Sequence, residues 1–172
     1  MYEQLSDLFK EWIPDYSSTY FKHGGYYYRD IGSQLRLIVI NTNFCSRFNF
    51  WLWYDDEDPG DQLKWLAEQL KIAKMKSKKV HIIGHIPLDQ FNCEDVWLHN
   101  YIKILELYKD IIVGQFFGHT HFDEFRVYYS EKQEVVGSAL IGGSLTTYEA
   151  VNPNYKIVKI ESNVSFAFVQ SI

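Results

Sequence analysis

Three histidines in this sequence follow a glycine at the end of an apolar segment. His85 follows Gly84 in "HIIGHIP", and His119 and His121 follow Gly118 in "GQFFGHTHFDEF". Imidazole binds zinc, iron or manganese well, and three imidazoles can supply half or more of a coordination sphere. Glycine lets the backbone turn sharply where each histidine loop begins. The pattern therefore predicts a metal site built from these three side chains.

A structural role is the alternative for each of these histidines. A single histidine after a strand is more often a surface or hydrogen-bonded residue than a ligand, whereas three at equivalent strand ends favour a metal site. The residues alone leave both interpretations open. His81 falls within a predicted strand and His99 on an amphipathic helix, and these two are interpreted as structural, together with His23.

The segments around the Gly-His pairs alternate between strand and helix patterns. Apolar runs predict strands at 35–40, 79–84 and 110–118, and apolar residues at helical spacing predict helices at 58–76 and 96–108. Such alternation is typical of a parallel sheet with right-handed crossovers. Ligands gather at the carboxyl ends of the strands in these sheets, which is where both Gly-His pairs fall.

Further elements are predicted on both sides of this unit. Leu5, Leu8, Phe9 and Trp12 have helical spacing ahead of Pro14, and residues 24–43 have the pattern of a glycine-punctuated hairpin. After His121, three strand-like segments predict antiparallel pairing, and these are 124–130, 134–143 and 155–161. The fold class is therefore α/β with a β-rich carboxyl-terminal third.

Other polar residues lie near the same strand ends. Asn41 and Asn43 follow the first of the three strands, where they could line the crevice or cap a turn. Asp123 follows the histidine pair and could orient an imidazole from behind. The acidic run 55–58 is interpreted as a loop that leads into a helix cap, in preference to a cation site.

Composition excludes several classes of protein. A net charge of −5 gives no electrostatic reason to expect a nucleic-acid partner, and the six lysines within 64–79 are interpreted as a solvated helix face. No run of about 18 apolar residues predicts a membrane span, and the first residues lack the apolar region of a signal peptide. Motifs for a nucleophile elbow, a P-loop or a dinucleotide fold are also missing.

Cysteine count and glycosylation motifs leave their questions open. Cys45 and Cys93 allow either one disulfide or two free thiols, and their number alone does not decide. One acceptor triplet begins at Asn163, and such triplets often arise by chance.

Five segments of the chain together resemble a known family. They are "NTNFCSRFNFW", "DPGDQLKWLAEQL", "KVHIIGHIPLDQFNC", "QFFGHTHFDEFRVYY" and "SLTTYEAVNPNYKIVKIE". In this order and spacing they are similar to the carboxyl-terminal half of the acid sphingomyelinase group within the calcineurin-like metallophosphoesterases. The resemblance covers nearly the whole chain.

This resemblance implies a two-metal hydrolase, usually zinc-dependent, in which the ions activate a water and hold the charge that develops on phosphorus. His85 and His119 would bind one ion and His121 the other. Tyr148 matches a tyrosine that lies near the substrate phosphate, and Asn43 is a second candidate for substrate binding. In the complete enzyme, the reaction would be hydrolysis of sphingomyelin to ceramide and phosphocholine.

The resemblance also implies a compartment and a cross-link. Cys45 and Cys93 match two cysteines of the family, which suggests that they pair. A disulfide indicates an oxidising environment, so the parent protein is expected to be secreted or lysosomal, with Asn163 as a candidate glycan site.

One departure from the family limits the prediction of activity. The family's Asp-x-His, Gly-Asp and Gly-Asn-His motifs belong to an amino-terminal half that residues 1–172 do not match. We therefore expect a partial metallophosphoesterase fold, the carboxyl-terminal half of a two-sheet sandwich flanked by helices, which lacks the general acid and binds at most one zinc ion. Such a chain would be inactive alone, and its uncovered sheet would be poorly soluble or would associate with a partner.

Two alternatives to an inactive enzyme fragment remain at this point. One is a catalytically silent protein that binds a lipid, a partner or a single metal ion. The other is a relative that acts on nucleotide phosphodiesters, since head-group choice cannot be read from these residues.

Overall fold

A mixed sheet with helices around it forms the body of the protein. The computed structural model describes residues 1–160 and 167–170, and in this part of the chain four α-helices occur. They are α1 (Tyr2–Leu8), α2 (Ser18–Gly24), α3 (Gln62–Met75) and α4 (Asp95–Tyr108). The strands are β1 (Tyr27–Ile31), β2 (Leu35–Val39), β3 (Lys79–Ile83), β4 (Ile112–Phe117), β5 (Glu124–Tyr129), β6 (Val135–Ile141), β7 (Ile157–Ile160) and β8 (Ala167–Gln170).

Six of these strands share one sheet in the order β1-β2-β3-β4-β6-β5. Strands β2, β3 and β4 are parallel neighbours, which confirms the predicted strand–helix alternation. Strand β6 was predicted to pair in an antiparallel manner. It pairs antiparallel with β5 but parallel with β4, because the chain runs out to the edge as β5 and returns between the two.

The first turn of helix α3 is capped by a side chain four residues before the helix, Asp58. The Asp58 carboxylate accepts hydrogen bonds from the backbone N–H groups of Leu63 at 2.6 Å and Lys64 at 3.0 Å. These N–H groups have no partner within the helix, so the cap stabilises its first turn. The acidic run therefore leads into a helix cap, as predicted.

Helices α3 and α4 bury their predicted apolar faces on one side of the sheet. The buried side chains are Leu63, Leu66, Leu70 and Ala73 on α3, and Trp97, Tyr101 and Leu105 on α4. They pack with Ile38 of β2 and Ile82 of β3, which are fully buried. The connections β2–α3–β3 and β3–α4–β4 step in the same direction across the sheet, and crossovers of this kind are right-handed as a rule, which places both helices on the same face. The opposite face is less covered, since Leu37 and Val39 are half-buried and Ile83 is 37% exposed.

The amino-terminal helix is shorter than its sequence pattern. Helix α1 ends at Leu8, and residues 9–12 form turns. Leu8 is 77% exposed and Trp12 66% exposed, so the predicted apolar face is not buried. Helices in proteins are stabilised chiefly by packing of an apolar face, and this one has little to hold a third turn.

The carboxyl-terminal strands β7 and β8 form a separate two-stranded antiparallel sheet. Lys156, just before β7, donates to the carbonyl of Ile141 at 3.1 Å and so ties this segment to the end of β6. Asn163, the predicted glycan site, lies outside the described residues. Within those residues, no helix is long and apolar enough to cross a membrane.

Candidate functional site

The two Gly-His loops leave the carboxyl ends of β3 and β4, which are adjacent in the sheet. The backbone N–H of Gly118 donates to the carbonyl of His85 at 2.9 Å, so the loops are bonded to each other. A Cβ on Gly84 would lie 2.8 Å from both Phe117 and Thr42. Glycine is therefore required there by close packing, and this packing brings the His85 loop against β4.

The sharp turns themselves are made by histidines, which corrects the expectation that glycine makes them. His119 has a φ of 76° and His121 a φ of 67°, whereas neither Gly84 nor Gly118 has a positive φ. For residues other than glycine, this left-handed region costs about 1–2 kcal/mol. Strain of this kind persists where the surrounding structure imposes it, and it concentrates at functional sites.

The predicted metal ligands are brought close, but unequally. The rings of His85 and His119 lie 5.2 Å apart between centroids and nearly perpendicular. The ring of His121 is instead 5.7 Å from that of Tyr148, edge to face. The structure thus joins two of the three histidines directly and places the third beside the predicted substrate contact.

The electrostatic surroundings of His119 favour an unprotonated ring. Partial burial lowers the pKa of His119 below its ordinary value, and the neighbouring His85 and His121 lower it further, while Asp89 opposes them. A neutral imidazole is the form that binds a metal ion.

Whether these donors suffice for a metal can be judged from their geometry. Among residues 1–160 and 167–170, no three His, Cys, Asp or Glu side chains are arranged to hold an ion. The His85–His119 pair fits part of one coordination sphere, and imidazole suits a divalent metal of the zinc type. Two ions with a bridging carboxylate do not fit the donors present.

A cavity of about 330 Å³ opens beside His85. Its wall includes Asn41, Thr42 and Asn43, which follow β2, and residues of α1 and α2 close its other side. Asn41 is committed to structure, since its side chain accepts from the N–H of Asn43 at 3.1 Å and donates to the Tyr2 hydroxyl and the Gly24 carbonyl. Asn43 is exposed at the rim.

The predicted disulfide is present. Cys45 and Cys93 are bonded to each other and fully buried. The bond connects the segment after β2 with the segment that carries His85, and a backbone bridge between Ser46 and Cys93 lies beside it.

An arginine that the sequence analysis did not identify connects the two histidine loops. Arg126 on β5 bonds to the Asp89 carboxylate at 3.2 Å and to Glu124 at 2.7 Å. Asp89 lies four residues beyond His85, and Glu124 lies three beyond His121. The carboxylate predicted to support an imidazole, Asp123, pairs instead with Lys156. The sequence offers little indication that Arg126 belongs to the site, because a charged residue on an edge strand is usually solvated.

The remaining sequence predictions near the site are resolved by their contacts. His81 is buried against Phe116, and burial lowers its pKa, so its assignment as a structural residue holds. His99 is exposed and pairs with Glu131. The chain contains one Gly-Asp pair, but Gly60 and Asp61 belong to the short 3-10 helix before α3 and not to a strand end.

The fold is similar to that of a solved protein structure. A dimetal phosphatase from Danio rerio matches 70% of this chain and 49% of its own with a TM-score of 0.51. Sequence identity is 13%, so this likeness concerns the fold alone. It concerns the mixed sheet and the helices packed on it.

Sequence comparison then places the chain within a family. The model of the calcineurin-like phosphoesterases matches residues 2–123, and the chain belongs to this family. Membership implies dependence on a divalent metal. The chain is 42% identical to sphingomyelin phosphodiesterase from Bos taurus and 41% identical to that from Homo sapiens, in each case over 167 residues and 96% of its length. It spans 26% of the length of either relative.

Proposed function

We propose that this chain is the carboxyl-terminal part of a sphingomyelinase-like phosphodiesterase, and that residues 1–172 supply half of its catalytic domain. The observation that carries the proposal is the contact between His85 and His119 at the ends of two adjacent parallel strands. In a family that depends on a divalent metal, two imidazoles in this position favour a ligand role. The sphingomyelin substrate is proposed from the similarity to the two sphingomyelin phosphodiesterases.

Each candidate residue has a proposed task. His85 and His119 hold one ion, and His121 holds a second when the remaining ligands are present. We expect zinc, because imidazole nitrogen is among its preferred ligands. A divalent ion bound there supplies Lewis-acid stabilisation for phosphodiester hydrolysis. The ring of Tyr148 lies against His121 and is 68% exposed, so its hydroxyl is accessible to a phosphate oxygen, and Asn43 offers an amide at the cavity rim.

By itself, the chain is proposed to be catalytically silent. The general acid and the bridging carboxylate are assigned to an amino-terminal half of the domain. His85 and His119 are adjacent, whereas His121 lies against Tyr148, so at most one ion is expected to bind. The second candidate is a protein without catalytic activity that binds a lipid, a partner or a metal ion. The exposed aromatic residues near the site favour a lipid as its ligand.

The proposed location follows from the cross-link. The buried Cys45–Cys93 disulfide favours an oxidising compartment, so the parent enzyme is proposed to be secreted or lysosomal. Asn163 is a candidate glycan site in that setting. Release of a glycan by an amidase, followed by the mass of the peptide that contains Asn163, tests this assignment.

Metal content and turnover test the proposed function together. The purified chain should bind no more than one zinc ion and hydrolyse a chromogenic phosphodiester negligibly. His119→Ala should abolish zinc binding, whereas His99→Ala should leave it unchanged, because His99 lies on α4 and pairs with Glu131. Two tightly bound ions with robust turnover would contradict the assignment of a half-site. Unchanged zinc binding in His119→Ala would remove this residue from the ligand set.

A further inference from the structure

A short segment beside the cavity exposes all five of its aromatic side chains. We call residues 48–54 the aromatic loop. The exposed members are Phe48 at 81%, Phe50 at 66%, Trp51 at 80%, Trp53 at 84% and Tyr54 at 88%. Exposed apolar residues scattered singly are ordinary, but a contiguous patch of large rings marks an interaction surface.

The aromatic loop is held by its base and is not a loose excursion of the chain. Leu52 is buried at 4% exposure, and residues Phe50–Trp53 form a 3-10 helix. The side chain of Asn49 accepts from the N–H of Trp51 at 3.3 Å and donates to the carbonyl of Asn43 at 2.9 Å. A buried leucine and a capping asparagine therefore hold the base of the loop so that its rings point outward.

The kind of aromatic residue narrows the choice of partner. Tryptophan and tyrosine combine an apolar ring with one polar N–H or O–H group, and they concentrate at the level of lipid headgroups. A surface that binds protein would also accept them, but the position of this loop favours lipid. Asn43, which its base contacts, lines the same cavity as His85. Rings beside that cavity would touch the surface from which a lipid headgroup enters.

The charges next to the loop select the type of lipid surface. Asp55, Asp56 and Glu57 follow it directly and are exposed. Arg47, which precedes it, is paired with Asp95 and Glu94, so its charge is compensated. The border of the loop is therefore acidic, and an anionic membrane would repel it.

We propose that the aromatic loop docks onto a bilayer of zwitterionic phospholipid, with its rings at headgroup level and the cavity beside His85 facing the surface. The choice of a lipid over another partner rests on the proposed function. Docking requires neither a metal ion nor turnover, so the two proposals can fail separately. The loop is an interfacial anchor and not a membrane span.

Binding to vesicles of defined composition tests the proposal. The full chain is mixed with vesicles of phosphatidylcholine and sphingomyelin, and bound protein is separated by flotation. The double variant Trp51→Ser/Trp53→Ser should bind at least about tenfold more weakly, a change of about 1.4 kcal/mol. Trp12→Ser is the matched control, because Trp12 is 66% exposed but lies beside β1, where Arg29 bonds to its carbonyl. It should bind as the unchanged chain does.

Two further measurements address depth and charge. Bromine-labelled acyl chains should quench the fluorescence of Trp51 and Trp53, whereas Trp65 and Trp97 are buried and should report little change. Vesicles in which phosphatidylserine replaces part of the phosphatidylcholine should bind more weakly at low salt. The triple variant Asp55→Asn/Asp56→Asn/Glu57→Gln should remove that difference, because screening and charge removal act on the same repulsion.

Several results would overturn the proposal. Equal binding by the double tryptophan variant would show that the loop is not the contact, and so would a requirement for anionic lipid. If the double tryptophan variant dissociates an oligomer in sedimentation while its vesicle binding is unchanged, the aromatic loop contacts a second copy of the chain and not a lipid surface. His119→Ala should retain vesicle binding, so failure of the metal assignment leaves this test intact.

Discussion

The two ends of the parallel strands differ in how their polar groups are satisfied. At the amino-terminal end, Arg36 is 1% exposed and bonds to the Asp30 carboxylate and the Gln69 side chain, with its guanidinium over the ring of Tyr28. Lys78 joins from the start of β3 and pairs with Asp30 at 3.5 Å. At the carboxyl-terminal end, two histidines adopt strained backbone conformations, and their rings contact other rings.

This difference separates the part of the fold that provides stability from the part that is available for chemistry. At the first end, Asp30 is the shared counter-charge of Arg36 and Lys78, so removal of its carboxylate leaves both cations without it. Groups at the second end are held in place by backbone contacts and a disulfide, and their imidazole rings face one another or the ring of Tyr148. The predictions that follow test this division, beginning with the largest effect.

Removal of the disulfide should cause the largest loss of stability. The bond closes a segment of 48 residues between Cys45 and Cys93. Chain-entropy arguments give about 4 kcal/mol for a loop of this length. The variant Cys45→Ala/Cys93→Ala should show this difference in urea denaturation relative to the oxidised chain. A loss below about 1 kcal/mol would mean that other contacts hold the carboxyl-terminal end.

Replacement of Arg36 should be nearly as costly. Arg36→Met keeps the length of the side chain but takes the buried guanidinium away from Asp30, which keeps its weaker contact with Lys78. Breaking a buried pair of this kind costs about 3 kcal/mol. The denaturation midpoint measures the effect. Arg29→Met is the control, because Arg29 on β1 is exposed and donates its hydrogen bonds to the backbone carbonyls of Glu11 and Trp12. Similar losses for both variants would refute a special role for the buried cluster.

Arg126→Ala should affect stability and metal binding by different amounts. Its side chain is 27% exposed, so the stability cost should stay near 1 kcal/mol after solvent screening. Zinc binding should weaken by roughly tenfold, since residues that orient ligands typically change metal affinity by that order. Arg126→Lys should restore part of the affinity. Loss of stability without a change in zinc affinity would assign Arg126 a merely structural role.

Glycine at position 119 should expose the strain in the histidine loop. Because His119 has a φ of 76°, His119→Gly should be more stable than His119→Ala by about 1 kcal/mol. Both variants lack the imidazole, so the comparison isolates the backbone. Equal stabilities in thermal unfolding would mean that the loop relaxes when the ring is removed.

Acid titration should give a smaller effect that originates at the other end of the sheet. Burial alone would raise the pKa of Asp30, but the hydrogen bond from Arg36 and the charges of Arg36 and Lys78 lower it below its ordinary value of 3.8. The folded state therefore gains stability from Asp30 above that value and loses it as the pH falls through the lowered pKa. Asp30→Asn should remove this component of acid unfolding. His119 variants should leave it unchanged.

The parallel unit was predictable because its signals are local. Apolar periodicity indicates α3 and α4, and parallel strands bring His85 and His119 to one edge whatever the details of the loops. The left-handed backbone of His119 and His121 was not predictable, since it follows from how the loops pack and not from the residue types. The position of β6 depends on pairing between distant segments, which no short pattern records.

Two further features show where sequence patterns give the wrong expectation or none. The sequence pattern gave no expectation for residues 48–54, where all five rings are exposed while Leu52 and the side chain of Asn49 hold the base. Arg126 and Asp89 are 37 residues apart, so their contact appears only in the folded chain. The disulfide was expected from family resemblance, and cysteine count left it undecided.

The link between the aromatic loop and the His85 loop fixes a distance that matters at a surface. The Cys45–Cys93 bond is reinforced by bonds from Arg47 to the carbonyls of Gln90 and Asn92. The two loops therefore cannot move apart independently. Once the rings rest among lipid headgroups, His85 is held at a constant height above the bilayer, so the depth of ring insertion determines which bond of a headgroup the site can reach.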